Sequence, residues 1–126
     1  MTKRILIIDD EPAIRHAVDR YLTRAGFDVQ CARELEEAEA LLAHVPYDLV
    51  IVDLSLSGHP SGTEGLELVR FVRRHRPSTR VIVLTAHGSP WVEKEARRRG
   101  CDALVHKPKP LSELARLAME LIGSAA

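Results

Sequence analysis

The chain has 126 residues, 45% of them hydrophobic, so one compact domain with a substantial core is expected. Lys plus Arg and Asp plus Glu number 18 each, and this zero net charge argues against direct nucleic-acid binding, which usually shows a basic excess. The chain has neither an apolar run near ~18 residues nor a signal-peptide pattern, which predicts a cytoplasmic protein that makes no membrane contact.

The first half of the chain alternates short apolar runs with helical patterns. The first run, residues 5–8, is typical of a strand buried on both faces, and it stops at an acidic pair. A helix is expected between Pro12 and Gly26, because proline suits a first helical turn and glycine a C-terminal end. An alternating segment then predicts a strand nearer the sheet edge over residues 27–32, followed by a helix over residues 35–45.

The second half begins with the central apolar run. Residues 49–52 are consecutive apolar residues, mostly β-branched, and they end at a single aspartate, Asp53. A loop rich in Ser, Gly and Pro follows over residues 54–63. The remaining patterns predict, in order, a helix over 66–76, a strand over 81–84, a helix over 90–99, a strand over 103–106 and a helix over 111–122.

Five strands that alternate with five helices predict an α/β fold, a doubly wound five-stranded parallel sheet with helices on both faces. Residues 1–126 show no linker and no internal repeat, so the expectation is a single domain, with no effector domain in this chain. Four predicted strands end in residues that can carry chemistry. In a parallel sheet these ends share the carboxyl edge, where open α/β sheets bind ligands. The residues are Asp9 with Asp10, Asp53, Thr85 and Lys107.

The acidic residues at this edge predict a metal site. If the first and third strands are neighbours, ~4.8 Å apart, the carboxylates of Asp9, Asp10 and Asp53 converge and repel one another. Hard oxygen ligands with open positions suit Mg²⁺, which also accepts a phosphate oxygen. With the ammonium of Lys107 and the hydroxyl of Thr85, the set fits an acidic residue that becomes phosphorylated. Taken alone, Asp53 has a simpler interpretation, because aspartate often starts the turn after a strand.

Four sequence pieces, in order and at these strand ends, resemble the response-regulator receiver domain over essentially the full chain. They are IIDDEP, LVIVDL, VIVLTAH and ALVHKP. The resemblance implies the strand order 2-1-3-4-5. It also implies a signalling switch of a two-component system or phosphorelay rather than an enzyme. Such a domain takes a phosphoryl group from a sensor histidine kinase or histidine phosphotransfer protein and signals through phosphorylation-dependent protein contacts to an unknown downstream protein.

The resemblance assigns roles to the matched positions. Asp53 would accept the phosphoryl group; Asp9, Asp10 and Asp53, with the backbone carbonyl of Ser55, would hold Mg²⁺; Thr85 and Lys107 would contact the phosphoryl oxygens; and Pro108 would set the peptide after the lysine. The chain also departs from the family pattern. The loop after Asp53 is about four residues longer than usual, and the switch position on the fifth strand, usually aromatic, is Leu104.

Three other functions fit the sequence less well. A non-switching, receiver-like protein-binding module is disfavoured because Asp53, Thr85 and Lys107 are all present. A flavin-binding flavodoxin-like protein would place its phosphate loop after the first strand, where this chain has acidic residues. A phosphatase of the haloacid dehalogenase type would need Asp-x-Asp there, whereas the chain has Asp-Asp-Glu.

The remaining signals allow alternatives. His87 either borders the path of the hydrolytic water or is a solvated loop histidine, and Trp91 is either a partner contact or apolar cover of the fourth helix. The arginines of the third and fourth helices are interpreted as solvated helix faces rather than nucleic-acid contacts. Cys31 and Cys101 lack metal-ligand spacing and are expected to be reduced and partly buried.

Overall fold

The computed structural model describes residues 2–54, 63–86, 89–107 and 110–124. This part of the chain contains five strands and five helices in strict alternation, as the sequence predicts. The strands are β1 (Arg4–Ile8), β2 (Asp28–Ala32), β3 (Leu49–Asp53), β4 (Arg80–Thr85) and β5 (Ala103–His106). The helices are α1 (Pro12–Arg24), α2 (Leu35–His44), α3 (Thr63–His75), α4 (Pro90–Arg99) and α5 (Leu111–Ile122).

All five strands are parallel, and their order is β2-β1-β3-β4-β5, which confirms the predicted topology. In the register between β1 and β3, Ile8 lies opposite Val52. The residues that follow them, Asp9 and Asp53, therefore emerge side by side at the carboxyl edge. The order in the sheet reverses direction next to β1, and ligands of open α/β sheets bind at such a point.

The sheet is covered on both faces, as predicted. Alternate residues of β1 and β3 point to opposite sides, because side chains along a strand have a period of two. Leu6 and Val50 belong to a buried cluster with apolar residues of α2, α3 and α4. Ile5 and Leu49 belong to a second cluster with residues of α1 and α5. The central strand β3 is buried along its whole length, which is why its sequence is a continuous apolar run.

The ends of two helices follow the predicted local signals. Gly26 lies just after α1 and Gly100 caps α4, both with positive φ (102° and 109°), a conformation that costs glycine little. The hydroxyl of Ser89 accepts the N–H of Val92 at 3.2 Å and so caps the start of α4. None of the described helices is long and apolar enough to span a membrane.

Gly65 fixes the distance between α3 and the end of β3. A Cβ atom at this position would lie 2.7 Å from Leu54 Cδ2, 2.9 Å from Leu54 Cα and 3.1 Å from the carbonyl oxygen of Asp53. Two of these atoms are backbone, so a flexible side chain cannot simply move aside. The first turn of α3 therefore packs directly on the backbone that carries Asp53.

We expect Gly65→Ala to destabilise the protein by about 1–3 kcal/mol, because overpacking outweighs the gain in helix propensity of up to ~1 kcal/mol. Urea denaturation monitored by circular dichroism measures the difference. Glu67→Ala, at an exposed position of the same helix, is the control and should change stability by less than about 0.5 kcal/mol. An alanine at position 65 that stabilises the protein would show that α3 can move away from β3.

Candidate functional site

The site is built around the carboxylate of Asp53, the last residue of β3, which is only 3% exposed. Lys107, the residue after β5, reaches across β4 and donates a hydrogen bond from Nζ to Asp53 Oδ2 at 2.9 Å. Its own backbone N–H donates to the carbonyl of Thr85 at 2.8 Å, so the sheet geometry continues one residue beyond β5. The ammonium group is thereby held over the end of the central strand.

Asp9 supplies a second buried carboxylate beside Asp53. It is 1% exposed, and its Oδ1 accepts the N–H of Glu11 at 2.9 Å. Its Oδ2 has no hydrogen-bond partner among the described residues, and the nearest cation is Lys107 Nζ at 3.6 Å. A buried carboxylate oxygen in this position is costly unless a proton or a cation offsets it.

Together, Asp9, Asp10 and Asp53 form a set that fits a divalent cation. One carboxylate oxygen of each lies within 4.8 Å of the others, and Asp10 is exposed while the other two are buried. Three carboxylates that converge in this way offer the hard oxygen ligands that a divalent cation such as Mg²⁺ or Ca²⁺ would take. The buried Oδ2 of Asp9, which lacks a hydrogen bond, is the observation that favours a cation here.

Burial and crowding shift the pKa values of two groups. Burial, together with the neighbouring Asp53, raises the pKa of Asp9 from 3.8 to about 6, although the hydrogen bond from Glu11 opposes the shift. Burial alone would lower the pKa of Lys107, but its contacts with Asp53 and Asp9 raise it above the usual 10.5. Lys107 therefore carries its positive charge at neutral pH.

Beside these groups lies an open cavity of about 500 Å³. Its lining includes the acidic residues Asp10 and Asp53, the ammonium-bearing Lys107, and Ala86, which follows β4. The cavity gives a small or extended ligand access to Asp53 from solvent.

The structure thus brings together Asp9, Asp10, Asp53 and Lys107, as the sequence predicts. Thr85 ends β4 at the same edge and is 3% exposed. Leu104 lies further back on β5, opposite Val83, and packs partly buried against the cluster on the α2–α4 face. Three other predicted site residues lie outside the described residues: Ser55, His87 and Pro108.

Sequence reasoning missed one contributor, Arg15. Its guanidinium donates to the backbone carbonyl of Asp9 at 2.9 Å and so supports the turn that carries the acidic pair. The available signal was its place one turn into α1, the helix that starts directly after that turn. Basic residues on exposed helix positions are common, and the periodicity of α1 alone does not mark this one.

The family model described as "Response regulator receiver domain" matches residues 5–118. The chain belongs to this family. A receiver domain is a signalling module of two-component systems, not a classical enzyme. In this receiver domain, Asp9, Asp10 and Asp53 form the acidic pocket.

Similar proteins agree with this assignment. The receiver domain is 37% identical over 115 residues to the response regulator protein PilR of Pseudomonas aeruginosa, a match that covers 91% of this chain and 25% of PilR. It spans between 23% and 50% of the length of the relatives compared.

Two solved structures are also similar. A CheY-like receiver domain of Methanospirillum hungatei has a TM-score of 0.89 at 28% identity, with 95% of this chain and 93% of that chain covered. A response regulator of Burkholderia pseudomallei, solved with a phosphorylated aspartic acid, a calcium ion and citrate, has a TM-score of 0.83 at 28% identity and covers 94% and 66%.

Asp9→Asn tests the crowding of carboxylates in the receiver domain. A pKa raised from 3.8 to about 6 on folding means that the stability contributed by the protonated carboxyl is lost as pH rises through this window. Without divalent cations, we expect the variant to match wild type near pH 4 and to exceed it at pH 7 by on the order of 2 kcal/mol. With Mg²⁺, wild type should gain stability, and Asp9→Asn and Asp10→Asn should gain much less.

Thermal unfolding at pH 4 and pH 7, with and without MgCl₂, provides the measurement. Asp28→Asn is the control, since Asp28 is an exposed carboxylate at the opposite edge of the sheet whose ion pair, within the described residues, is with the exposed Arg4. If wild type and Asp9→Asn respond equally to Mg²⁺, the metal assignment of Asp9 is wrong.

Proposed function

We propose that this receiver domain accepts a phosphoryl group on Asp53 from a phosphohistidine of a sensor kinase or phosphotransfer protein. The observation that best supports this proposal is the position of the Asp53 carboxylate. It is buried, lies 2.9 Å from Lys107 Nζ, and has an oxygen within 4.8 Å of carboxylate oxygens of Asp9 and Asp10. The proposal includes a cytoplasmic location and a readout by protein contacts, without direct nucleic-acid or membrane binding.

Asp53 would be the nucleophile of the transfer. One carboxylate oxygen forms a bond to phosphorus while the bond from phosphorus to the histidine nitrogen of the donor breaks. The leaving imidazole nitrogen keeps the electron pair and takes up a proton from solvent or the donor. Because Asp53 needs no general base to act, the surrounding residues serve position and charge.

Lys107 would stabilise the charge of the transferred group. Its raised pKa keeps it protonated, so its ammonium can contact a phosphoryl oxygen bound at Asp53 without moving far. Thr85 ends the neighbouring strand and would offer its hydroxyl to another phosphoryl oxygen. Both contacts are stronger with the phosphorylated state than with the carboxylate alone, so they favour transfer.

The cation would be Mg²⁺, held by Asp9, Asp10 and Asp53 together with the carbonyl of Ser55. When bound, it would neutralise charge on the phosphoryl oxygens and on the crowded carboxylates. The Burkholderia structure supports this assignment, because that similar protein carries a phosphorylated aspartic acid and a calcium ion.

Incubation with Mg²⁺ and acetyl phosphate should add one acid-labile phosphoryl group to wild type and none to Asp53→Asn. The asparagine keeps the shape of the side chain but removes the nucleophilic oxygen. Intact-mass spectrometry, followed by peptide mapping after borohydride trapping, measures the modification and its position.

The matched control for phosphorylation is Asp28→Asn, which removes an exposed strand-end carboxylate from the opposite edge of the sheet and should label like wild type. Equal labelling of Asp53→Asn and wild type would place the acceptor elsewhere.

Leu104 stands at the switch position on the fifth strand, where the family usually has an aromatic residue. We propose that leucine makes this switch weak. It is already packed against the cluster on the α2–α4 face, so its burial is favourable before phosphorylation. Only a difference in free energy between two states can shift their populations, and Leu104 supplies little of it. A contact at 2.6 Å between His106 and Glu93 also ties β5 to α4.

Binding of beryllofluoride should therefore change amide chemical shifts only slightly along α4, β5 and α5. We expect the larger changes at the start of α4 and next to residues 54–63, which lie largely outside the described residues. Leu104→Tyr is the informative variant, because a ring that can exchange between solvent and interior should enlarge the response along β5. Large changes centred on Leu104 and α5 in wild type, reduced by Thr85→Ala, would show that the usual switch operates with leucine.

A further inference from the structure

An open cavity of about 390 Å³ between the C-terminal halves of α3 and α4 is lined by arginine side chains. The lining consists of Arg70, Arg73, Arg74, Arg98 and Arg99. The first turn of α3 packs near Asp53, so its last turn lies at the other end of the domain, away from the phosphoacceptor site. This cavity, the arginine groove, is therefore separate from the site already described.

The arginine groove carries an excess of positive charge. Arg98 and Arg99 share the carboxylate of Glu95, at 2.8 and 2.9 Å, and Arg73 contacts Asp102 at 3.1 Å. Two carboxylates thus face five guanidinium groups. Arg70 and Arg74 are exposed, and neither has a carboxylate partner among the described residues.

The helix dipole explains only part of this arrangement. Cations in the last turn of a helix are stabilised by its negative end, and both α3 and α4 have basic last turns. The dipole does not require that side chains from two helices converge on one cavity, where like charges repel one another. A bound anion would offset that repulsion, and the guanidinium fork matches two oxygens of a phosphate group.

We propose that the arginine groove binds a small oligophosphate anion, either inorganic or the phosphate chain of a nucleotide. Its volume falls within the range of small-ligand sites, ~300–1,000 Å³. Because the uncompensated charge exceeds one, a chain of two or three phosphates suits it better than a single phosphate. The inference does not depend on the function proposed for Asp53.

Two classes of macromolecule fit the arginine groove less well. A protein partner would need a central apolar or aromatic anchor, and the lining contains none. A nucleic acid would need a basic surface of ~600 Å² or more, whereas the chain as a whole has zero net charge.

Isothermal titration of the whole chain with sodium tripolyphosphate tests the proposal. The buffer is free of metal and of chelator, and its ionic strength is held constant, so that the acidic site and chelator anions do not contribute. We expect Arg70→Gln with Arg74→Gln to weaken binding at least tenfold without lowering the thermal midpoint, since neither residue forms an ion pair with another described residue. Amide shifts on binding should concentrate in the last turns of α3 and α4.

The control is Arg20→Gln with Arg24→Gln, which removes two exposed arginines at the same spacing from α1, a helix of the same length. Its affinity should stay within twofold of wild type. If ATP binds as tightly as tripolyphosphate, the ligand is the phosphate chain of a nucleotide. If ATP binds at least tenfold more weakly, the ligand is an inorganic oligophosphate. Absent binding, equal loss in both double variants, or preference for hexaglutamate or duplex DNA would overturn the proposal.

Discussion

The crowding of acidic groups at the end of the central strand is the constraint on which the rest of this structure depends. Asp9 and Asp53 are both buried, and within the described part of the chain Lys107 is the cation that contacts both of them. One ammonium cannot neutralise two carboxylates and the exposed Asp10 as well. The raised pKa of Asp9 reflects its burial and the repulsion from Asp53 that remains. A cation bound between these carboxylates would offset the negative charge that Lys107 leaves uncompensated.

The fold holds this arrangement because Asp9, Asp53, Thr85 and Lys107 all lie at the carboxyl ends of parallel strands. The register of β1 against β3 and of β4 against β5 fixes where Asp9, Asp53 and Lys107 leave the sheet. The apolar clusters on both faces hold the strands in that register, since a slip by one residue would turn apolar side chains toward the wrong face. Gly65 then brings α3 onto the backbone of Asp53. The core therefore determines the geometry of the site.

The alternation of strands and helices and the residues at the strand ends could be predicted from local signals, whereas the strand order was implied by the resemblance to receiver domains. Apolar runs mark the strands, and in a parallel sheet their ends meet at one edge, so Asp9, Asp53, Thr85 and Lys107 could be placed together before any coordinates. Contacts that depend on which helix face meets its neighbour could not be read in this way. Arg15 is one such case, because nothing in the period of α1 shows that its guanidinium reaches the carbonyl of Asp9.

The arginine residues show more clearly what sequence patterns cannot predict. Composition records equal numbers of acidic and basic residues, and a neutral chain suggests an evenly mixed surface. The structure instead separates the charges, with carboxylates crowded at the carboxyl edge and guanidinium groups gathered where α3 and α4 end. α3 connects the two regions, since its first turn packs against Leu54 and its last turns carry Arg70 and Arg74. Net charge therefore limits the average field of a domain, whereas its local fields also depend on how the fold distributes the charged groups.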